Sequence, residues 1–453
     1  MSVQKSQQGS VKELWLLSYP LIVTMGAQVV MQFVDRMFLA WYSHEALAAC
    51  VPGGILALTF GSLFAGLAGY TSVFIAQYHA RKKYASVSIS LWQGILLALF
   101  SWGILVTLTP LGNELIRFFD HGAQVVPLEI KYFTILNLFS GLAILNNALA
   151  SFFSGRGKTK IPMWVALIGN VSNIVVNYGL IFGKWGLPQW GIVGAAWATV
   201  IGGASMSVCF GLLILRARKK YKLGKLAGFY RPIFVRMLRY GVPNGFGFLM
   251  DVMSFTLFTF MVGHIDVISL QASNIVMSMQ PVVFMVILGL GMGIQILISR
   301  YQGINRADLS LRVVKSACKL GYAYAGVVAA AFFCFPEFFI HLFITPGSPD
   351  SALITAKALP LVRLVSFFVL GDATYLIFGE ALRGAGDTHF YMRVMIFCAW
   401  GLLTPGTWML VYQMHSSIFA VWSWLTLYAW VTALFMLVRF LQGKWKKIRV
   451  TIS

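Results

Sequence analysis

The sequence predicts an all-α integral membrane protein, with twelve transmembrane helices in two six-helix bundles related by a pseudo-two-fold axis along the membrane normal. Three observations predict it. Of 453 residues, 58% are hydrophobic and only 11% are charged, against about 25% charged in soluble chains. Too little polar surface remains to cover a water-soluble particle. Disordered and disulfide-scaffold classes fail on the same arithmetic, and a membrane β-barrel would dilute the average by alternating polar and apolar residues. The second observation is that Lys and Arg alternate between rich and poor loops. The third is that the chain repeats itself.

In order along the chain, each element is an apolar run near or above the roughly 20 residues that cross a bilayer. The first, 14–40, is too long for a cleaved signal and contains Pro20 and the Asp35–Arg36 pair. The second, 46–76, runs into Arg81, Lys82 and Lys83. The third and fourth, 88–110 and 132–153, flank a loop with only Arg117 and Lys131, and the fourth is followed by Arg156, Lys158 and Lys160. Runs 161–183 and 191–215 enclose Lys184 and precede nine basic residues from Arg216 to Arg239. The second half holds 236–262, 267–298, 314–343, 358–381, 391–413 and 416–441, with Lys357 alone in its outer loops. With the amino terminus inside, 29 of 35 basic residues fall on the cytoplasmic side and four in outer loops. A missing or extra helix would scramble that split, so both termini are expected in the cytoplasm. The net charge of +21 is thus a membrane-edge charge. No nucleic-acid partner is expected, whereas membrane lipids are.

Two offsets reveal the repeat. At 223, Ala49, Gly66, Tyr78 and Lys83 fall on Ala272, Gly289, Tyr301 and Arg306. At 229, Gly155, Gly157, Thr159 and Met163 fall on Gly384, Gly386, Thr388 and Met392. An even number of spans per half gives both halves the same topology. The domains expected are an amino-terminal bundle at 1–218, a basic connector at 219–231 on the anionic inner surface, and a carboxy-terminal bundle with its tail at 232–453. Duplicated bundles of this kind place a cleft near the midplane and work by rocking between two states.

Most of the 14 acids lie in loops or at span ends; Glu129 is one of these. Glu380 precedes Arg383 by three residues, which suits an ion pair. Asp35, Asp251 and Asp372 remain inside spans. A carboxylate at that depth costs about 2.5–3.5 kcal/mol on insertion scales, and such residues mark ion or substrate paths. Asn173 and Asn177 are four apart and share a face; Asn177 and Thr199 lie in the same outer half as Asp35. One carboxylate, two amides and a hydroxyl make an oxygen-only set suited to a hard monovalent cation, Na⁺, or to H⁺. Asp251 and Asp372 lie near mid-depth, and Phe368 sits one turn before Asp372, so charge and cation–π attraction together suit an organic cation.

The stretches FVDRMFLA (33–40), GRGKTKIPM (155–163), GNVSNIVVNYGLIFG (169–183), GIVGAAWAT (191–199) and LRGAGDT (382–388) together resemble the multidrug and toxic compound extrusion (MATE) family in its NorM-type branch, over nearly the whole chain. The resemblance implies an inner-membrane antiporter that exports cationic amphipathic drugs against Na⁺ or H⁺; a monomer of the bacterial inner membrane without a cofactor is expected. By position it implies an amino-half cation site at Asp35, Asn173, Asn177 and Thr199 and a carboxy-half acidic pair at Asp251 and Asp372. Two departures stand out. Asp251 replaces the glutamate usual in span seven, and Arg36 follows Asp35 where a small polar residue is commoner.

Two other classes compete. A flippase for lipid-linked saccharides would line its cavity with cations to hold pyrophosphate, but the in-span charges here are mainly acidic. An enzyme finds no support: the seven histidines form no HExxH pattern, the five cysteines form no CxxC pair, and GRGKT misses the phosphate-loop spacing because Phe152 stands where a glycine is required.

Overall fold

The computed structural model describes residues 8–221, 228–343 and 351–451. The centre of the expected basic connector, 222–227, lies outside the described residues. All regular structure among the described residues is helical: α1 (Val11–Tyr42), α2 (His44–Gly69), α3 (Thr71–Ala80), α4 (Tyr84–Phe119), α5 (Val126–Ser154), α6 (Lys160–Phe182), α7 (Ile192–Tyr221), α8 (Arg231–Val262), α9 (Val267–Gly303), α10 (Ala307–Cys334), α11 (Pro336–His341), α12 (Ser351–Ala385), α13 (Thr388–Met395), α14 (Thr404–Trp408) and α15 (Ile418–Leu441). Among the described residues, twelve spans are long and apolar enough to cross a membrane. The protein is a multi-pass, all-α membrane protein. Large apolar side chains such as Phe33, Phe100, Val208, Val327 and Leu434 lie exposed on helix faces, as helices bathed in lipid require.

The helices mostly outrun the apolar runs, because polar end turns continue the backbone hydrogen bonding beyond the hydrocarbon. Two spans differ in kind. The ninth run, expected to continue to 343, breaks at Phe335, and Pro336 opens α11 as its first residue; a proline has no N–H to continue the ladder. The eleventh is α-helical only in part. It passes through π-helical Ile396–Leu403 and Met409–Gln413 on either side of α14, which carries Pro405. Lost i→i−4 donors are a common cause of such widened turns.

The repeat is written into the backbone. Lys82 and Asn305, 223 apart, turn the chain with φ of 59° and 58°, and Gly157 and Gly386, 229 apart, with 76° and 99°. The interior glycines recur as well. A Cβ on Gly155 would lie 2.7 Å from the Ser72 carbonyl oxygen, and one on Gly384 would lie 2.6 Å from that of Gln295. Ser72 and Gln295 are themselves 223 apart. Each half therefore brings two backbones together at a repeated position where any side chain would collide.

By packing, the chain divides into two compact units, Val23–Phe246 with Val450–Ser453, and Met1–Ile22 with Gly247–Arg449. These units follow the packing, whereas boundaries at 218 and 232 follow the repeat: α1 up to Ile22 packs with second-half helices, and α8 up to Phe246 with first-half ones. Pro20 and Pro243, again 223 apart, lie within a turn of the two crossing points. Close backbone contact holds each exchanged segment. A Cβ on Gly289 would meet the Ile22 nitrogen at 2.6 Å, and one on Gly66 would meet the Gly245 Cα at 2.7 Å.

In the unit of Met1–Ile22 and Gly247–Arg449, α12 is central and packs on α9, α10 and α15. Its core includes Leu14, Ile287, Ile294, Leu361, Phe378 and Trp422. Glu13 anchors the start of α1: it accepts from the Gly9 N–H (2.7 Å) and the Tyr301 hydroxyl (2.6 Å) and pairs with Arg300 (3.3 Å). In the other unit α5 packs on α2, α4 and α7, and α6 on α7.

Candidate functional site

In the unit of Val23–Phe246 the residues of the predicted oxygen set meet in two pairs. Gly169 and Gly202 let α6 and α7 approach closely, since a Cβ on Gly202 would lie 2.9 Å from the Gly169 carbonyl oxygen and 3.0 Å from Asn173 Cβ. That approach brings Asn173 against Thr199, whose hydroxyl accepts from the Asn173 amide at 3.4 Å while donating to the Ala195 carbonyl at 3.2 Å. One turn further along α6, the Asn177 amide donates to Asp35 Oδ1 at 2.5 Å. Asp35, Asn173 and Asn177 are buried, and both amide carbonyl oxygens lack a hydrogen-bond donor. A buried acceptor left unpaired costs about 1–3 kcal/mol. Two such oxygens beside a carboxylate form a donor set that a small cation or a proton would satisfy. Arg36, the next residue along α1, lies on the exposed side of the helix, yet its charge reaches Asp35.

In the other unit, α8 supplies Asp251 and α12 supplies Asp372. The Tyr428 hydroxyl on α15 donates to Asp251 Oδ1 at 3.4 Å. Asp372 is buried, and its Oδ2 has no hydrogen-bond partner. The two carboxyl groups lie close enough for their charges to interact. Toward the carboxy-terminal end of α12 the polar groups continue. Tyr375 and Tyr391 share a hydroxyl contact at 3.2 Å, the Arg383 guanidinium stands 5.0 Å from the Tyr391 ring centre, and Arg383 pairs with Glu380 as their spacing implied. Phe368 is buried in the apolar core.

Asn177 thus meets Asp35 and, one turn away on α6, Asn173 meets Thr199, while Asp251 and Asp372 come together in the other unit. Tyr375, Tyr391 and Tyr428 are the residues that sequence reasoning missed. Tyr375 follows Asp372 by three residues on one helix face, a spacing available from the sequence. Tyr391 and Tyr428 reach the acids only through packing.

A family model described as MatE matches residues 20–179 and 243–409 of the chain. A probable multidrug resistance protein NorM of Thermotoga maritima is 27% identical over 449 residues, covering 96% of this chain and 93% of that protein. The multidrug resistance protein PmpM of Pseudomonas aeruginosa is 26% identical over 411 residues, covering 88% of this chain and 83% of the relative. A solved structure of the outward-facing conformation of a multidrug resistance MATE family transporter of the MOP superfamily has a TM-score of 0.87 at 19% identity, over 99% of this chain and 100% of that one. That last likeness speaks for the fold.

Proposed function

The chain belongs to the MatE family, and on that premise we propose that it is a secondary active antiporter exporting cationic amphipathic compounds in exchange for Na⁺ or H⁺, with alternating access of the rocker-switch kind. The chain is a transporter and not an enzyme. Relatives named multidrug resistance proteins align along most of its length, which supports drugs as the cargo. The observation that carries the reading is a buried carboxylate cluster in each unit, one framed by unpaired amide oxygens and the other by tyrosines. The protein acts as a monomer in a bacterial inner membrane, with both termini in the cytoplasm.

The chemistry is competition between charges. When the site faces outward, Asp35 or the Asp251–Asp372 pair takes up the coupling cation. The negative charge holding a cationic drug falls, and the drug leaves. Facing inward, the cation is released and a cytoplasmic drug reloads the acids. One charge crossing 100 mV supplies about 2.3 kcal/mol, roughly fifty-fold in concentration. A saccharide-lipid flippase would need fixed cations where this chain buries aspartates.

The test is exchange of ethidium by purified protein in proteoliposomes, with Na⁺ and pH gradients imposed independently. Asp35→Asn and Asp372→Asn should each lower gradient-driven exchange at least ten-fold. Wild-type rates in both variants would remove these acids from the mechanism.

A further inference from the structure

Glu129 lies in the first turn of α5, a position that from the sequence alone belongs to a span end facing water. Its side chain is only 2% exposed. A carboxylate is rarely buried without a fixed role. Its side-chain partner is His121 Nδ1 at 2.8 Å, and the His121 ring is 33% exposed. One turn along α5, Tyr132 is buried in one core cluster with Cys50 of α2. The same cluster takes in Phe38 and Leu39 of α1, which follow Asp35 by three and four residues. Gly53 of α2 keeps this row compact, since a Cβ there would stand 3.3 Å from the Tyr132 ring and 3.4 Å from Glu129 Cγ. The row therefore runs from a water-accessible imidazole, through a buried carboxyl, a phenol and a thiol, to the carboxylate held by Asn177. Asp35 precedes the outer end of α1 by seven residues, about 10 Å of helix rise, so the row bridges the depth between that site and the surface.

We propose that the Glu129–His121 pair is the outer loading station for the coupling proton, which passes by way of Tyr132 and Cys50 to Asp35. The inference rests on the antiporter reading and narrows its coupling ion. Every member of the row carries an exchangeable proton, and the row includes a phenol and a thiol, poor ligands for Na⁺, which prefers carboxylate and carbonyl oxygen. The transfers balance. His121 takes a proton from outer water and gives its Nδ1 proton to the Glu129 carboxylate, leaving a neutral ring and a carboxylic acid. That acid passes its proton to the Tyr132 hydroxyl as the hydroxyl releases its own, and the thiol repeats the exchange. One proton has left the outer solution and one carboxylate, Asp35, has become neutral. His121, Glu129, Tyr132, Cys50, Arg36 and Asp35 are the titratable or charged groups met along the row.

The experiment uses the full chain in proteoliposomes holding ethidium and a trapped pH indicator, with the outer pH varied and a Na⁺ gradient imposed separately. Glu129→Gln keeps the shape but cannot ionise, and His121→Gln keeps a hydrogen bond without an imidazole. Each should slow proton-driven exchange about ten-fold or more and flatten its dependence on outer pH. Ethidium affinity in detergent should stay within two-fold of wild type, a separation that a merely structural pair would not give. Should Glu129→Gln fail to fold, His121→Gln and Tyr132→Phe carry the test. Wild-type proton-driven rates in the well-folded variants, with Asp35→Asn inactive, overturn the route and leave the antiporter reading standing. Exchange driven by Na⁺ alone also overturns it. An active Asp35→Asn instead defeats the antiporter reading itself.

Discussion

Replacing Gly384 by alanine adds one methyl group 2.6 Å from the Gln295 carbonyl oxygen and 3.0 Å from its Cα. Both obstacles are backbone of α9, which cannot swing aside as a side chain can. Gly384 lies within α12, so the usual helix-interior advantage of alanine, roughly 0.5–1 kcal/mol, applies in its favour. Overpacking a close contact costs about 1–3 kcal/mol, so a net loss of about 1–2 kcal/mol remains. In units of this size each kcal/mol moves a melting midpoint by about 2–4 °C, which places the variant about 2–8 °C below wild type. Gly326 of α10 is the internal control, because a Cβ there meets nothing within 4 Å; Gly326→Ala should melt at or above wild type. The repeat supplies a second trial: Gly155→Ala, facing the Ser72 carbonyl oxygen at 2.7 Å, should fall by a similar amount. Thermal unfolding of the detergent-purified variants, followed by intrinsic fluorescence, measures all three. If Gly384→Ala melts with Gly326→Ala, the close backbone approach is not what these glycines serve.

Trp445 is fully buried, stacks on Phe440 at 4.9 Å, donates from its indole N–H to the Phe440 carbonyl at 2.9 Å, and its own carbonyl accepts from Gln302. Trp445→Ala should cost about 3–5 kcal/mol, read as a lower melting midpoint and faster proteolysis after Leu441. Arg36→Gln should tighten coupling-cation binding several-fold, because the guanidinium charge that reaches Asp35 competes with a bound cation; unchanged affinity in a titration of exchange rate against the driving ion would remove Arg36 from the site. Asp266 caps α9 through Ser269 at 2.7 Å and bridges Lys357 at 3.0 Å. Partial burial pushes its carboxyl up, but the Ser269 hydroxyl and amide and the Lys357 ammonium hold it down at about 2. Its folded value is below the unfolded one, so its contribution is complete above about pH 4 and is lost as pH falls toward 2. Asp266→Ala should lower the midpoint near neutral pH by the worth of a cap, about 1 kcal/mol, and the gap to wild type should close in acid. A gap constant from pH 6 to 3 would refute that assignment.

By itself the sequence determined the number of spans and the repeat. Each of these is a property of local composition: apolar length against bilayer thickness, and glycines at fixed offsets. It also gave the expectation that Asp35, Asn177 and Thr199 share one depth, because depth along a helix follows from residue count. Only the tertiary structure decided which atoms meet. Asn177 reaches Asp35 across 142 residues and Tyr428 reaches Asp251 across 177, and no spacing rule links residues on separate helices. Burial was likewise beyond the sequence for Glu129. Its place near a helix start reads as solvent, yet α2 closes over it at Gly53. The first turns of α1 and α8 make the same point. Their apolar pattern allowed either partner, and backbone contact at Gly289 and Gly66 selected the one that packs.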